Sequence, residues 1–178
     1  MFYLESERLT LIPLTHQQLL LLRQDRTLME ISMGLTPSFM LVDPFYYAEI
    51  IDALDNFWLP NTLAYPDKYL WYTDWELVLK STNTSVGGMG FAGYPNENGE
   101  AEIGYMIDAN QHNKGFATEA IQAMIKWAFT HPFVKAIIVH TYADNLPSRR
   151  LMDKFGFEQM EEIEGLLTYK LTKPPSGL

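Results

Sequence analysis

Apolar residues recur along this chain with two periods, and the changes of period mark out its elements. Leu9–Leu14 reads as a first strand, ended near Pro13. Thr15, with Gln18 three positions on, makes a capping box. It predicts a helix through about Arg23, with Leu19, Leu20 and Leu22 inward. Asp43-Pro44 is a cap followed by a proline, which starts a second helix running to about Phe57, before Pro60. Leu70–Lys80 has the aromatic and β-branched bias of a strand, and Ser81–Ser85 is a polar turn.

The second half is punctuated more sharply. Val86–Tyr94 is a glycine-rich strand, Pro95–Gly99 a hairpin turn, and Glu100–Asp108 the returning strand. A polar loop, Ala109–Lys114, leads through Gly115 into a helix over Phe116–Thr130. Its stripe is Ala117, Ala120, Ile121, Met124 and Ala128, and Pro132 ends it. Lys135–Tyr142 is continuous and apolar, as a central parallel strand is. Asn145–Phe155 is a short helix closed by Gly156, and Phe157–Leu171 holds the last strands, turning at Glu164-Gly165. The order predicts an α/β fold with a mixed sheet (α+β in its strand directions) rather than a doubly wound one.

Composition narrows the function. The chain has 178 residues, a length expected of one domain spanning 1–178, and its formal charge is −9. Clustered Lys and Arg are lacking, which argues against nucleic acid as a partner. There is no cysteine, hence no thiolate nucleophile and no cysteine-based metal site. The histidines have no metal-ligand spacing. No apolar run approaches ~18 residues, so no membrane span is expected, and the start lacks the pattern of a signal peptide. A cytoplasmic location is the expectation, as a monomer or a homodimer.

The chemistry concentrates at His112–Ala120, HNKGFATEA, where a strand and a glycine-containing loop run into a helix. Unbonded amides at a helix start favour an anion such as a diphosphate. Gly115 permits positive φ or close backbone approach, and Thr118 offers a hydroxyl. Neither GxxxxGK[ST] nor GxGxxG is present.

In this setting the chain resembles the GCN5-related N-acetyltransferase (GNAT) superfamily, in particular the branch of ribosomal-protein N-terminal acetyltransferases. The resemblance rests on LESERLTLIPLT (Leu4–Thr15), Ala101-Glu102-Ile103-Gly104-Tyr105, Gly115-Phe116-Ala117-Thr118-Glu119-Ala120, and Asn145-x-x-Ser148 leading into Lys154-Phe155-Gly156-Phe157. It implies a GNAT-like acyl-CoA N-acyltransferase fold with two splayed central parallel strands, Ala101–Asp108 and Lys135–Thr141. It also implies acetyl-CoA as cosubstrate, no metal, and an amine acceptor. The backbone of Met106, Ile107 and Asp108 would bind the pantetheine arm. The loop from His112 and Asn113 through Lys114, Gly115, Phe116, Ala117 and Thr118 would hold the diphosphate. Asn145 and Ser148 would lie near the pantetheine and sulfur. His112 departs from the family's Gln or Arg, and Met152 stands where many members carry a tyrosine acid.

Transfer to an amine needs a proton acceptor. Glu102 is the first candidate, and Glu100, on the same strand face, and His140 are weaker ones. Ser148 or a nearby tyrosine such as Tyr142 would protonate the leaving thiolate, or the thiolate, a fair leaving group, departs unassisted. The acceptor is expected to be a peptide or protein N-terminus. The alternatives are a small amine (a polyamine, amino acid derivative or aminoglycoside) and coenzyme binding without catalysis. Eleven of the 24 aromatic residues fall between Phe39 and Trp75. Phe45, Tyr46, Tyr47, Phe57, Trp58, Tyr65, Tyr69, Trp71, Tyr72 and Trp75, with Asp52, Asp55, Asp67 and Asp74, suggest an acceptor-side segment over about 38–76 that suits a cation.

Overall fold

The computed structural model describes residues 2–175. Its strands form one mixed sheet in the order β1-β2-β3-β4-β5-β6-β8-β7. These are β1 Leu4–Glu5, β2 Leu9–Pro13, β3 Asp74–Leu79, β4 Thr84–Phe91, β5 Glu100–Ile107, β6 Ala136–Tyr142, β7 Glu158–Ile163 and β8 Leu166–Thr172. The helices are α1 His16–Gln24, α2 Arg26–Ser32, α3 Pro44–Ala53, α4 Leu59–Ala64, α5 Phe116–Thr130 and α6 Leu146–Phe155.

Period-two burial makes the main core. Leu9 and Leu11 of β2, Trp75 and Leu77 of β3, and Ala101 and Ile103 of β5 turn one face toward Phe116, Ala120, Ile121, Met124 and Ala128 of α5. Trp71 and Trp75 pack on Trp127 of α5, with ring centroids 4.7 and 5.3 Å away. These two aromatics therefore belong to the core rather than to an acceptor pocket. A second, smaller core joins Leu14, Leu19, Met29 and Leu54 under the helices of the first half.

The capping box at Thr15 and Gln18 is present, and Leu19 is fully buried, but Leu20 faces out. The helix begun at Pro44 does not end before Pro60. It passes through a π turn at Leu54–Trp58 into α4, where Pro60 takes the second position and the helical run continues through it. Leu70 and Trp71 belong to a 3₁₀ turn, Pro66–Trp71, so β3 starts four residues later than the aromatic bias suggests. The α5 bounds and the turn at Glu164-Gly165 fall where the sequence puts them.

β5 and β6 set the site. They pair in parallel at Glu100↔Ala136, Ala101↔Ile137 and Glu102↔Ile138 and nowhere beyond. Past that point β5 continues against β4, from Ile103↔Phe91 to Ile107↔Gly87, while β6 continues against β8. The sheet opens into a V whose apex lies at Glu102 and Ile138. This is the splayed pair that the resemblance implies.

Candidate active site

Gly115 caps α5 with φ 81°, and Asn113 is also left-handed at φ 60°. This pair of turns aims the chain's amides to one side. Among the described residues, none of the six amides from Asn113 to Thr118 donates to a protein acceptor, whereas the Glu119 amide already bonds Gly115. Six free donors at the positive end of a 15-residue helix form an anion cradle. Phe116 offers only its amide, because its ring is buried. Lys114 folds back, its Nζ donating to Asn110 O at 3.1 Å and Gln111 Oε1 at 2.9 Å.

The cradle is held by residues far away in sequence. The Arg8 guanidinium donates through Nε to Glu119 at 2.7 Å and through Nη1 to the Lys114 carbonyl at 3.0 Å. It also sits 4.7 Å from the Phe116 ring centroid. Burial pushes the Glu119 carboxyl up, but donors from Ser6 and Arg8 outweigh it and the net shift is down. Two of the resemblance blocks thus meet in one clamp, which the sequence reading did not foresee.

Backbone parity decides what β5 offers to the opening. Asp108 N–H donates to Val86, and Glu102 O accepts from Ala92, each at 2.9 Å. Antiparallel ladders alternate, so Glu102, Gly104, Met106 and Asp108 direct their peptide groups to β4. Tyr105 and Ile107 direct theirs into the V. The expectation for Met106 and Asp108 therefore changes: the Met106 peptide groups face β4, while Asp108 gives its N–H to Val86 and its carbonyl accepts from the Gln111 amide. The Asp108 carboxylate, buried, accepts from the amides of Leu41 and Asn110, a structural role. His112 closes the strand end, its Nε2 lying 2.9 Å from Ile107 O.

On the other face of the sheet, Glu102 and His140 flank the apex, with Oε2 and Nε2 3.7 Å apart. Thr168 Oγ1 lies 3.1 Å from His140 Nδ1. They line a groove of about 430 Å³ with Glu100, Tyr94, Met160, Glu161 and Lys170 among its other walls. Glu100 is tied to Lys170 at 2.8 Å, and that bond, with one from Asn96, draws its carboxyl below the usual range. Glu102 has no such partner and is half exposed.

On the helical side of the V, Asn145 caps α6 by accepting from the Ser148 amide. Ser148 is buried, and its hydroxyl accepts from the Tyr105 hydroxyl at 2.9 Å. Tyr142, the other candidate acid, does not join them. It is exposed, packs against Phe45 and reaches Glu49, whose charge pushes its phenol up. Tyr105, which sequence reasoning did not single out, joins this cluster through its bond to Ser148. The available signal was parity: it shares a face with Ile103, toward α6. The acidic residues of the middle segment do not converge either. Asp55 pairs with Arg23, and Asp74 is buried beside Glu76 and Arg26. Among the described residues, no group of three or more His, Asp or Glu is placed to hold a metal ion. No helix there is long and apolar enough to cross a membrane.

A V-shaped break between parallel strands, with an anion cradle at its open end, defines a class of acyl-CoA-dependent transferases. Residues 8–158 match the model of the acetyltransferase (GNAT) domain, and the chain belongs to that family. It is 38% identical over 86 residues to the uncharacterized N-acetyltransferase YjdG of Bacillus subtilis (strain 168), a stretch covering 48% of this chain and 51% of that one. It is 32% identical over 129 residues to the uncharacterized N-acetyltransferase p20 of Bacillus licheniformis, covering 72% and 67%. The matches span about half of the first relative and two thirds of the second. In fold the chain is similar to the ribosomal-protein-S5-alanine acetyltransferase of Vibrio fischeri, with a TM-score of 0.64, 14% identity, and 98% and 100% of the two chains covered.

Proposed function

We propose that residues 1–178 act as one catalytic domain that moves the acetyl group of acetyl-CoA to a primary amine by direct attack in a ternary complex. The observation that carries this is the alignment of six free amides with an opening that closes at Glu102 and Ile138. From Asp108 back to Ile103 is five residues, ~17 Å of strand. An extended pantetheine arm anchored at the cradle therefore brings its thioester close to the apex. There the amine enters from the face of Glu102 and His140, opposite the cradle. Glu102 takes the ammonium proton directly or through His140. The Tyr105 or Ile107 amide receives the carbonyl oxygen as it gains charge, and Ser148 protonates the leaving thiolate.

The amine we favour is a protein or peptide N-terminus, as in the ribosomal-protein branch that the sequence resembles. The small-amine reading is favoured by one observation, the groove of about 430 Å³ with the Glu102 carboxylate in its wall. A thiol-release assay with acetyl-CoA across N-terminal peptides and small amines separates the two. Glu102→Gln should lower kcat ~10²-fold or more on whichever amine is used. An unchanged rate removes Glu102 from the mechanism, and coenzyme binding without thiol release on any amine refutes the transferase reading.

A further inference from the structure

Met152 leaves α6 without a proton donor at the position where many relatives carry a tyrosine, yet a tyrosine hydroxyl reaches the site from another strand. We infer that Tyr105 of β5 recharges Ser148 with a proton during thiolate release, so that the acid of this enzyme is a two-residue relay spanning the V. The inference rests on the transferase reading above. Tyr105 donates to Ser148 Oγ at 2.9 Å. Ser148 is itself 7% exposed and fixed by the Asn145 cap. The backbone of Tyr105 faces the opening, so its ring crosses from β5 to α6 beside the path of the thioester. Burial pushes the phenol up and keeps it a donor, the bond to Ser148 draws it back, and the Tyr46 phenol of α3 raises it slightly. Tyr46 is in turn set by its own burial and by Glu49, Asp144, Asp43 and Tyr142.

In the step, the C–S bond of the tetrahedral adduct breaks and sulfur takes the electron pair. The Ser148 hydroxyl proton moves to sulfur, and the Tyr105 proton moves to Ser148 Oγ. The tyrosinate regains a proton from water. The ammonium nitrogen loses two protons, one before attack and one as the amide forms, and the base passes both to water, so one proton is released per turnover and the count closes. Tyr105 acts through Ser148 and is a positioning residue for the proton.

The test measures kcat, KM and the pH profile of wild type, Tyr105→Phe, Ser148→Ala and the double variant, with coenzyme A binding followed by calorimetry. Tyr105→Phe should lower kcat ~10-fold or more while KM for acetyl-CoA stays within about threefold. It should change nothing further in the Ser148→Ala background. The alkaline fall in kcat should vanish in Tyr105→Phe and persist in Tyr46→Phe. If Tyr105→Phe misfolds, ring-fluorinated tyrosine at 105 keeps the packing and should move that limb to lower pH. A wild-type kcat in Tyr105→Phe, a rise in KM alone, additive losses in the double variant, or an unmoved limb overturns the relay. Transfer by wild type together with any of these leaves the transferase reading intact. Wild type without transfer to any amine overturns both.

Discussion

Gly115→Ala probes the cradle, because strain and coenzyme binding can be read separately. A non-glycine residue in the left-handed region costs roughly 1–2 kcal/mol. The alanine regains ~0.4–1 kcal/mol by restricting the unfolded chain. Its Cβ would lie 3.3 Å from Arg8 Nη2, the end of a flexible side chain that can give way. The net loss is therefore ~0–1.6 kcal/mol, or up to about 6 °C in Tm for a chain of this size. Gly34 is the control, since it has φ 74° and open space where a Cβ would point, at the end of α2 and far from the cradle. Gly34→Ala should lose a similar Tm. The coenzyme readout should split the pair. Turning even one amide of the cradle away from a phosphate forfeits a charge-assisted bond of ~1.5–3 kcal/mol, about 10- to 100-fold in Kd. Calorimetry with coenzyme A should show that loss for Gly115→Ala and none for Gly34→Ala. Equal Kd in both variants, with Tm falling as reckoned, would refute the placement of the diphosphate while leaving the strain argument standing.

Glu119→Gln should destabilise at neutral pH and lose its effect in acid. The carboxyl is depressed in the folded state, so its contribution is present above the ordinary carboxylate pKa and disappears as pH falls through the folded value. Matched thermal melts at pH 7 and pH 3 check this, and an equal deficit at both would refute the ionic part of the clamp. Asp74 has the opposite sign. Burial, with Glu76 adding and Arg26 opposing, pushes it up to about 7, so the folded state holds the proton more tightly and stability falls as pH rises from about 4 toward 7. Asp74→Asn should flatten that slope, with a gain in Tm at pH 8 and none at pH 4. Parallel slopes in the two proteins would show that Asp74 is not the titrating group.

What the sequence made legible was local. Gly115 and Pro132 each act on their own backbone, and both α5 bounds follow from them. The Thr15 box and the Glu164-Gly165 turn are set within four residues. Pro60 misled because a proline can also be carried inside a helical run, and here a π turn immediately precedes it. Asp74 and Glu76 disguise β3, since their alternation with Trp75 and Leu77 looks half-solvated while nearly the whole strand is buried. Arg26, from a helix that the pattern did not announce, makes that burial tolerable by donating to both Glu76 oxygens at 2.8 Å.

The site divides along the same line. The free amides follow from one short segment, so they could be named from residues 112–118 alone. The V, the Arg8–Glu119 clamp and the Tyr105–Ser148 bond each join residues 36 to 111 positions apart, and no period within one strand encodes them. Parity supplies the missing step. Once β5 is known to spend its even-numbered peptide groups on β4, the odd-numbered ones must face the opening, and the side chains of odd-numbered residues must face α5 and α6. Among the described residues, Tyr105 then has both its backbone and its hydroxyl beside the path proposed for the thioester. On the proposed relay, Met152 can stay in the core of α6 because the hydroxyl it lacks is delivered from β5.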